Sequence, residues 1–158
     1  MSAISIDLAM RHLLAEPEDR VLIEAQLEAA EEAAMQFLNR RFFATQEAVD
    51  SAKAGVLAKL KQARAANTTA VDAAMLETDE SLQVRLLDHA RQALAEVEAE
   101  ADAVAYGIVV NAAITAACLL KLGHLFANRE EVITGTTAAE LPLASKSLLA
   151  PYRVRMGV

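Results

Sequence analysis

Three histidines, one cysteine and a stripe of glutamates are the side chains here best able to hold a metal or move a proton, and their spacing argues against both roles. His12, His89 and His124 each lack a glutamate three residues earlier, so the Glu-x-x-His pairs of di-iron helical bundles are missing. There is no His-Glu-x-x-His element, cysteine cluster or acidic calcium loop, and no metal site is expected. Phosphate-cradling glycine loops, the dinucleotide fingerprint and the Gly-x-Ser-x-Gly elbow do not occur either, so neither a cofactor nor acyl-transfer chemistry is expected. Cys118, the only cysteine, has no intramolecular disulfide partner and lies in the most apolar stretch, where a thiol packs inertly. His124 follows Gly123 and suits a loop carbonyl or a subunit contact, with no triad beside it. Glu24, Glu28 and Glu31 share one helical face; a solvated stripe is the plain expectation, and a catalytic or ligating carboxylate the functional one.

The elements that must position these residues are helices. Of 158 residues, 35 are alanine, 5 glycine and 3 proline, so the strongest helix former dominates and breakers are scarce. The expectation is an all-α fold: a helical bundle with a long helical hairpin or arm and a short extended C-terminal segment, as one domain over 1–158 with 45–102 as the arm. The net charge of −7 and the lack of a large basic cluster argue against tight duplex binding. Lys53, Lys59, Lys61 and Arg64 make the best basic segment, either an ordinary exposed face or contacts to phosphate or an acidic partner. The N-terminus lacks the order of a secretory signal, so the mature chain is expected to begin here. Residues 103–120 carry no charge, yet Asn111, Gly107, Thr115 and many alanines make a buried bundle helix the better reading than a membrane span.

Along the chain, Ser5 is placed to cap a helix running to about residue 14, and Pro17 to open a second whose seam is Ile23, Leu27, Ala30, Ala34 and Phe37. Asn39, Arg40 and Arg41 suit its end, with Phe42 and Phe43 as an apolar anchor. Val49, Ala52, Val56, Leu60 and Ala63 predict a helix over 45–66, and Asn67-Thr68-Thr69 predicts a break before a short helix to about residue 77. Leu87, Ala90, Leu94, Val97, Ala101, Val104 and Ile108 form the seam of a long helix beginning at 82, which is expected to pair with 45–66 as an antiparallel hairpin. Residues 132–136 read as a short strand or extended loop. A short helix over 145–149 follows, bounded by Pro142 and Pro151.

The stretch Ala117-Cys118-Leu119-Leu120-Lys121-Leu122-Gly123-His124-Leu125-Phe126-Ala127-Asn128-Arg129-Glu130, followed by Leu141-Pro142 and Leu148-Leu149-Ala150-Pro151-Tyr152-Arg153, resembles the phage head–tail connector family. These are helical adaptors of long-tailed phages and prophages, also described as DNA-packaging proteins. Residues 8–41 resemble the family's opening helical pair, including the acidic turn Glu18-Asp19 and the Ala29-Ala30 core. The two blocks stand in the family's order, whereas 45–102 departs from its usual short connection.

The resemblance implies a non-enzymatic virion protein of the head–tail junction, assembled in the bacterial host cytoplasm. It would form a homo-oligomeric ring between the portal protein and the next head-completion or tail-joining protein. DNA would pass through without sequence-specific binding, and no membrane would be involved. The implied subunit or portal interface is His124, Phe126, Asn128, Arg129 and Glu130, with Leu149, Pro151, Tyr152 and Arg153 as a C-terminal docking segment. Two other classes remain open: a soluble α-helical interaction or regulatory module, dimeric through the seam over 87–108, and a helical-bundle enzyme using one glutamate.

Overall fold

The computed structural model describes residues 2–128 and 143–154. The fold is all-α, with one pair of two-residue strands among the described residues. It divides into two units, one made of Met1–Gln46 with Ile108–Val158 and the other of Glu47–Gly107. The second corresponds to the arm expected over 45–102, with its end shifted to the glycine that precedes the second strand.

In the first unit, helix α1 (Ile6–Leu13) is closed by Leu14 in the left-handed conformation, and Pro17–Asp19 forms a single 3-10 turn before helix α2 (Arg20–Leu38). Ser5 occupies the N-cap of α1, but its hydroxyl makes no capping bond there. Ile23, Leu27, Ala30, Ala34 and Leu38 all face inward from α2, at the spacing of one helical stripe. They meet Ile114, Ala117, Cys118, Leu119 and Leu122 of helix α5 (Ala112–Ala127) in one apolar core. The small side chains of Ala30, Ala34 and Ala117 permit close approach of the backbones, and each fully buried leucine or isoleucine contributes about 1.5–3 kcal/mol. Helix α6 (Leu143–Leu149) delivers Leu149 to this core and leads into a 3-10 turn at Ala150–Tyr152.

Asn39, left-handed at φ 56°, ends α2 and turns the chain into strand β1 (Phe42–Phe43). β1 pairs in parallel with β2 (Ile108–Val109): the Ile108 amide donates to the Arg41 carbonyl at 3.0 Å and the Val110 amide to the Phe43 carbonyl at 3.0 Å. Ile108 therefore belongs to a strand and is not the last residue of the long seam. The charge-free span 103–120 is likewise not one helix. It is split by Tyr106, Gly107, β2 and Val110 into the end of one helix and the start of α5, which Asn111 caps by accepting the Ile114 amide. No helix among the described residues is long and apolar enough to cross a membrane.

The second unit is built from helix α3 (Gln46–Met75) and helix α4 (Glu80–Ala105), which run antiparallel. An Arg64–Glu98 ion pair at 3.5 Å joins them. The inward residues of α3 are Val49, Ala52, Val56, Leu60, Ala63, Asn67, Val71 and Ala74. Their 3-4-4 spacing is an 11-residue repeat that keeps a seam on one side of a nearly straight helix. The α4 seam runs from Leu87 through Ala90, Leu94, Val97 and Ala101 to Val104; Ala90 and Ala101 are buried and the other four half-buried. The break expected at Asn67-Thr68-Thr69 does not occur. The Thr68 and Thr69 hydroxyls donate to the carbonyls of Arg64 and Ala65, satisfying their polar groups inside a continuous helix. Asn67 is on the seam, and its Oδ1 is buried without a hydrogen-bond partner. At the tip, Asp79 accepts from the amides of Ser81 and Leu82 and caps α4, which begins at Glu80 where a start at 82 was expected. Residues 132–136, expected as a strand or loop, lie outside the described residues.

Candidate functional site

The residues implied as an interface belong to two neighbouring structures of the first unit: the C-terminal end of α5, and the turn after α6. At the first, the Asn128 side-chain amide donates to the His124 carbonyl at 2.8 Å and lies 3.1 Å from His124 Nδ1. The pair closes α5 where its last carbonyls lack helical partners. His124 is exposed, and Phe126 is half-buried against the core. Arg129 and Glu130 lie outside the described residues.

At the second, Leu149 is buried in the unit's own core, while Pro151 and Arg153 are exposed and Tyr152 half-buried. Arg153 lies over the Phe37 ring, 4.9 Å from its centroid. The Val154 amide donates to the Leu38 carbonyl at 3.1 Å, and the Asn39 side-chain amide donates to the Val154 carbonyl at 2.9 Å. The segment thus docks on the end of its own α2, leaving a surface of Pro151, one face of Tyr152 and Arg153. Lys53, Lys59, Lys61 and Arg64 are all exposed on α3, with Lys53, Lys61 and Arg64 along one side of the helix and Lys59 on another.

The glutamate stripe is divided. Glu24 and Glu28 are exposed, whereas Glu31 is only 4% exposed. Its Oε1 accepts from the Ile4 amide at 2.9 Å and the Ser2 hydroxyl at 2.7 Å, and Oε2 accepts from the Ala3 amide at 3.2 Å. The carboxylate thereby anchors the segment before α1, whose first amides have no helix to join, and Ile4 is buried beside it. Helical spacing of four and three residues made the three glutamates look alike. The available sequence signal was Ser2-Ala3-Ile4, a short lead before the first helix whose free amides need an acceptor.

Cys118 lies in the same core. Burial pushes its thiol pKa up from 9.0 to about 12, and the Glu31 carboxylate adds to the effect against an opposing contribution from Lys121. Native Cys118 is therefore expected to react with iodoacetamide at mildly alkaline pH far more slowly than in denaturant, and equal rates would contradict its burial. Because the folded thiol holds its proton above the unfolded value, its contribution to stability is intact below pH 9.0 and declines as pH rises toward about 12.

Among the described residues, no group of three or more His, Cys, Asp or Glu side chains could hold a metal ion. An open surface cleft of about 510 Å³ is lined by Asp7, Met10, Arg11, Pro17 and Arg20. Both guanidinium groups are engaged there, Arg20 with the Asp7 carboxylate at 3.0 Å and Arg11 with the Asp7 carbonyl at 3.2 Å. Comparison of the chain with protein-family models, curated proteins and solved structures returned no match.

Proposed function

We propose that this protein is a structural adaptor of the phage head–tail connector type, joining copies of itself to a portal vertex and performing no bond-making chemistry. The observation that carries the reading is where the resembling residues fall. Residues 8–41, 117–128 and 148–153 belong to one unit and pack on one another through α2, α5 and the turn after α6, while the departing segment makes a separate hairpin. A resemblance in separate pieces of sequence thus corresponds to one packed body. The proposed contacts are the exposed end of α5 around His124, continuing toward Arg129 and Glu130, and the surface of Pro151, Tyr152 and Arg153.

The test is assembly. Purified protein is mixed with a candidate portal protein from the same genome, and complexes are followed by native mass spectrometry and electron microscopy. Binding with ring formation is expected. Tyr152→Ala combined with Arg153→Ala is expected to weaken that binding by at least about tenfold with helicity retained, since tyrosine and arginine are enriched among the few interface residues that carry most of the binding energy. Equal binding by the double variant removes the C-terminal contact from the proposal, and no binding by the parent protein refutes the adaptor role.

A further inference from the structure

The arm hairpin carries a second stripe on α3, outside its buried seam. Lys53, Leu57, Lys61, Arg64, Thr68, Asp72 and Met75 are all exposed and are spaced 4-4-3-4-4-3. This is the same 11-residue repeat as the buried seam, so the stripe holds one side of α3 over about 33 Å at 1.5 Å per residue. Leu57 is 62% exposed and Met75 61%, a large apolar side chain toward each end. The half around Leu57 is basic, with Lys53, Lys61 and Arg64. The half around Met75 is acidic, with Asp72 and then Glu77, Asp79 and Glu80 at the tip.

The order along the stripe is self-complementary. Turn one copy to run antiparallel to another, with Arg64 against Thr68 at the centre, and Leu57 falls opposite Met75, Lys61 opposite Asp72, and Lys53 beyond the partner helix's end, toward its acidic tip. Each contact is then made twice, as a two-fold axis requires. α4 contributes to the same flank: Glu98, in its second half, reaches Arg64, and Arg91 and Val84 lie one and two heptads earlier. Val84 is 53% exposed, and Arg91 is paired with Asp88 at 3.0 Å.

We infer that this stripe is a self-complementary interface through which two copies of the chain pair, α3 against α3, antiparallel. A second copy is the occupant that satisfies both halves at once. Nucleic acid or an anionic membrane would favour Lys53, Lys61 and Arg64 but be repelled by Asp72 and the acidic tip. The pairing is independent of the vertex proposal, because a two-fold contact closes at two copies and a cyclic ring needs a different face. One helix face per copy is a small interface, so the dimer is weak and its salt dependence marked.

The experiment uses the full chain in a concentration series by sedimentation equilibrium, with circular dichroism confirming that each variant is folded. The parent is expected to dimerise reversibly, and less readily in high salt. Lys61→Asp alone and Asp72→Lys alone each place like charges opposite one another twice and are expected to weaken dimerisation at least about tenfold. An equimolar mixture of the two single variants is expected to form heterodimers, and Lys61→Asp with Asp72→Lys in one chain to restore the homodimer. A parent that stays monomeric at the highest concentration overturns the inference. So do single variants that pair as well as the parent, or a mixture and a double variant that fail to recover. DNA binding lost in Lys61→Asp, with no self-association, would assign the basic half to phosphate and overturn it equally.

Discussion

Leu122→Ala is expected to lower the unfolding free energy by about 2–5 kcal/mol, the range for removing most of a leucine from a packed interior. Leu122 is fully buried on α5, in the core shared with Ile23, Leu27 and Leu38 of α2. A domain's stability is typically only about 5–15 kcal/mol, so this one change removes a large share of it. The core to which Leu122 belongs includes Ala9, Ala30, Ala34 and Ala117, which have little side chain to move into the space. Leu120, two residues earlier on the same helix, is 45% exposed, and Leu120→Ala serves as the control within about 0.5 kcal/mol. Urea unfolding followed by circular dichroism checks both, and equal losses at 120 and 122 would refute the placement of α5. Tyr152, which packs on this core, provides a local fluorescence signal for the same transition.

Glu31→Ala is expected to be the second large effect, a loss of roughly 2–4 kcal/mol that also frees the chain before α1. The substitution removes the acceptor of two amides and a hydroxyl, and hydrogen bonds to a charged group contribute about 1.5–3 kcal/mol while a stranded buried donor costs about 1–3 kcal/mol. Glu31→Gln keeps one acceptor oxygen but sets an amide N–H where the other oxygen accepted, so about half the loss is expected. The distinguishing measurement is hydrogen exchange at Ala3 and Ile4, whose amides should lose protection in Glu31→Ala and keep part of it in Glu31→Gln. Glu24→Ala, at an exposed position on the same helix, is expected to change stability by less than about 0.5 kcal/mol. If Glu24→Ala and Glu31→Ala destabilise equally, the anchoring role is wrong.

Periodicity was a sound guide wherever one helix face is buried along its whole length. Ile23, Leu27, Ala30 and Ala34 of α2 are inward as their spacing predicts, while Leu38 takes the fully buried place expected for half-buried Phe37; the arm seams likewise face inward, except Ile108, which is in β2. Turn chemistry was sound where the backbone itself requires it: Pro17 opens the turn before α2, and Asn39 takes the left-handed conformation that ends it. Local signals failed where two outcomes differ only through distant partners. Thr68 and Thr69 can initiate a helix or bond back onto one, and the long α4 seam alongside α3 favours the continuous helix. The β1–β2 pair joins residues 42–43 to 108–109, a separation no local pattern reports. It also explains why the uncharged span over 103–120 is interrupted, since the amides of Ile108 and Val110 bond across to another strand.

By itself the sequence determined that this chain is helical, that α2 and the arm have apolar seams, and that Cys118 sits in an apolar helix. Each follows from alanine content and from spacing near 3.6 residues, properties carried by neighbours along the chain. Tertiary structure decided which glutamate is buried, that the α4 seam faces its own α3, and that Leu149 serves the core while Arg153 rests on Phe37. Those outcomes depend on groups brought together across 27 to 116 positions of chain, as with Glu31 and Ile4 or Arg153 and Phe37. A side chain's burial and its hydrogen-bond partners are properties of that assembled surface and not of its spacing.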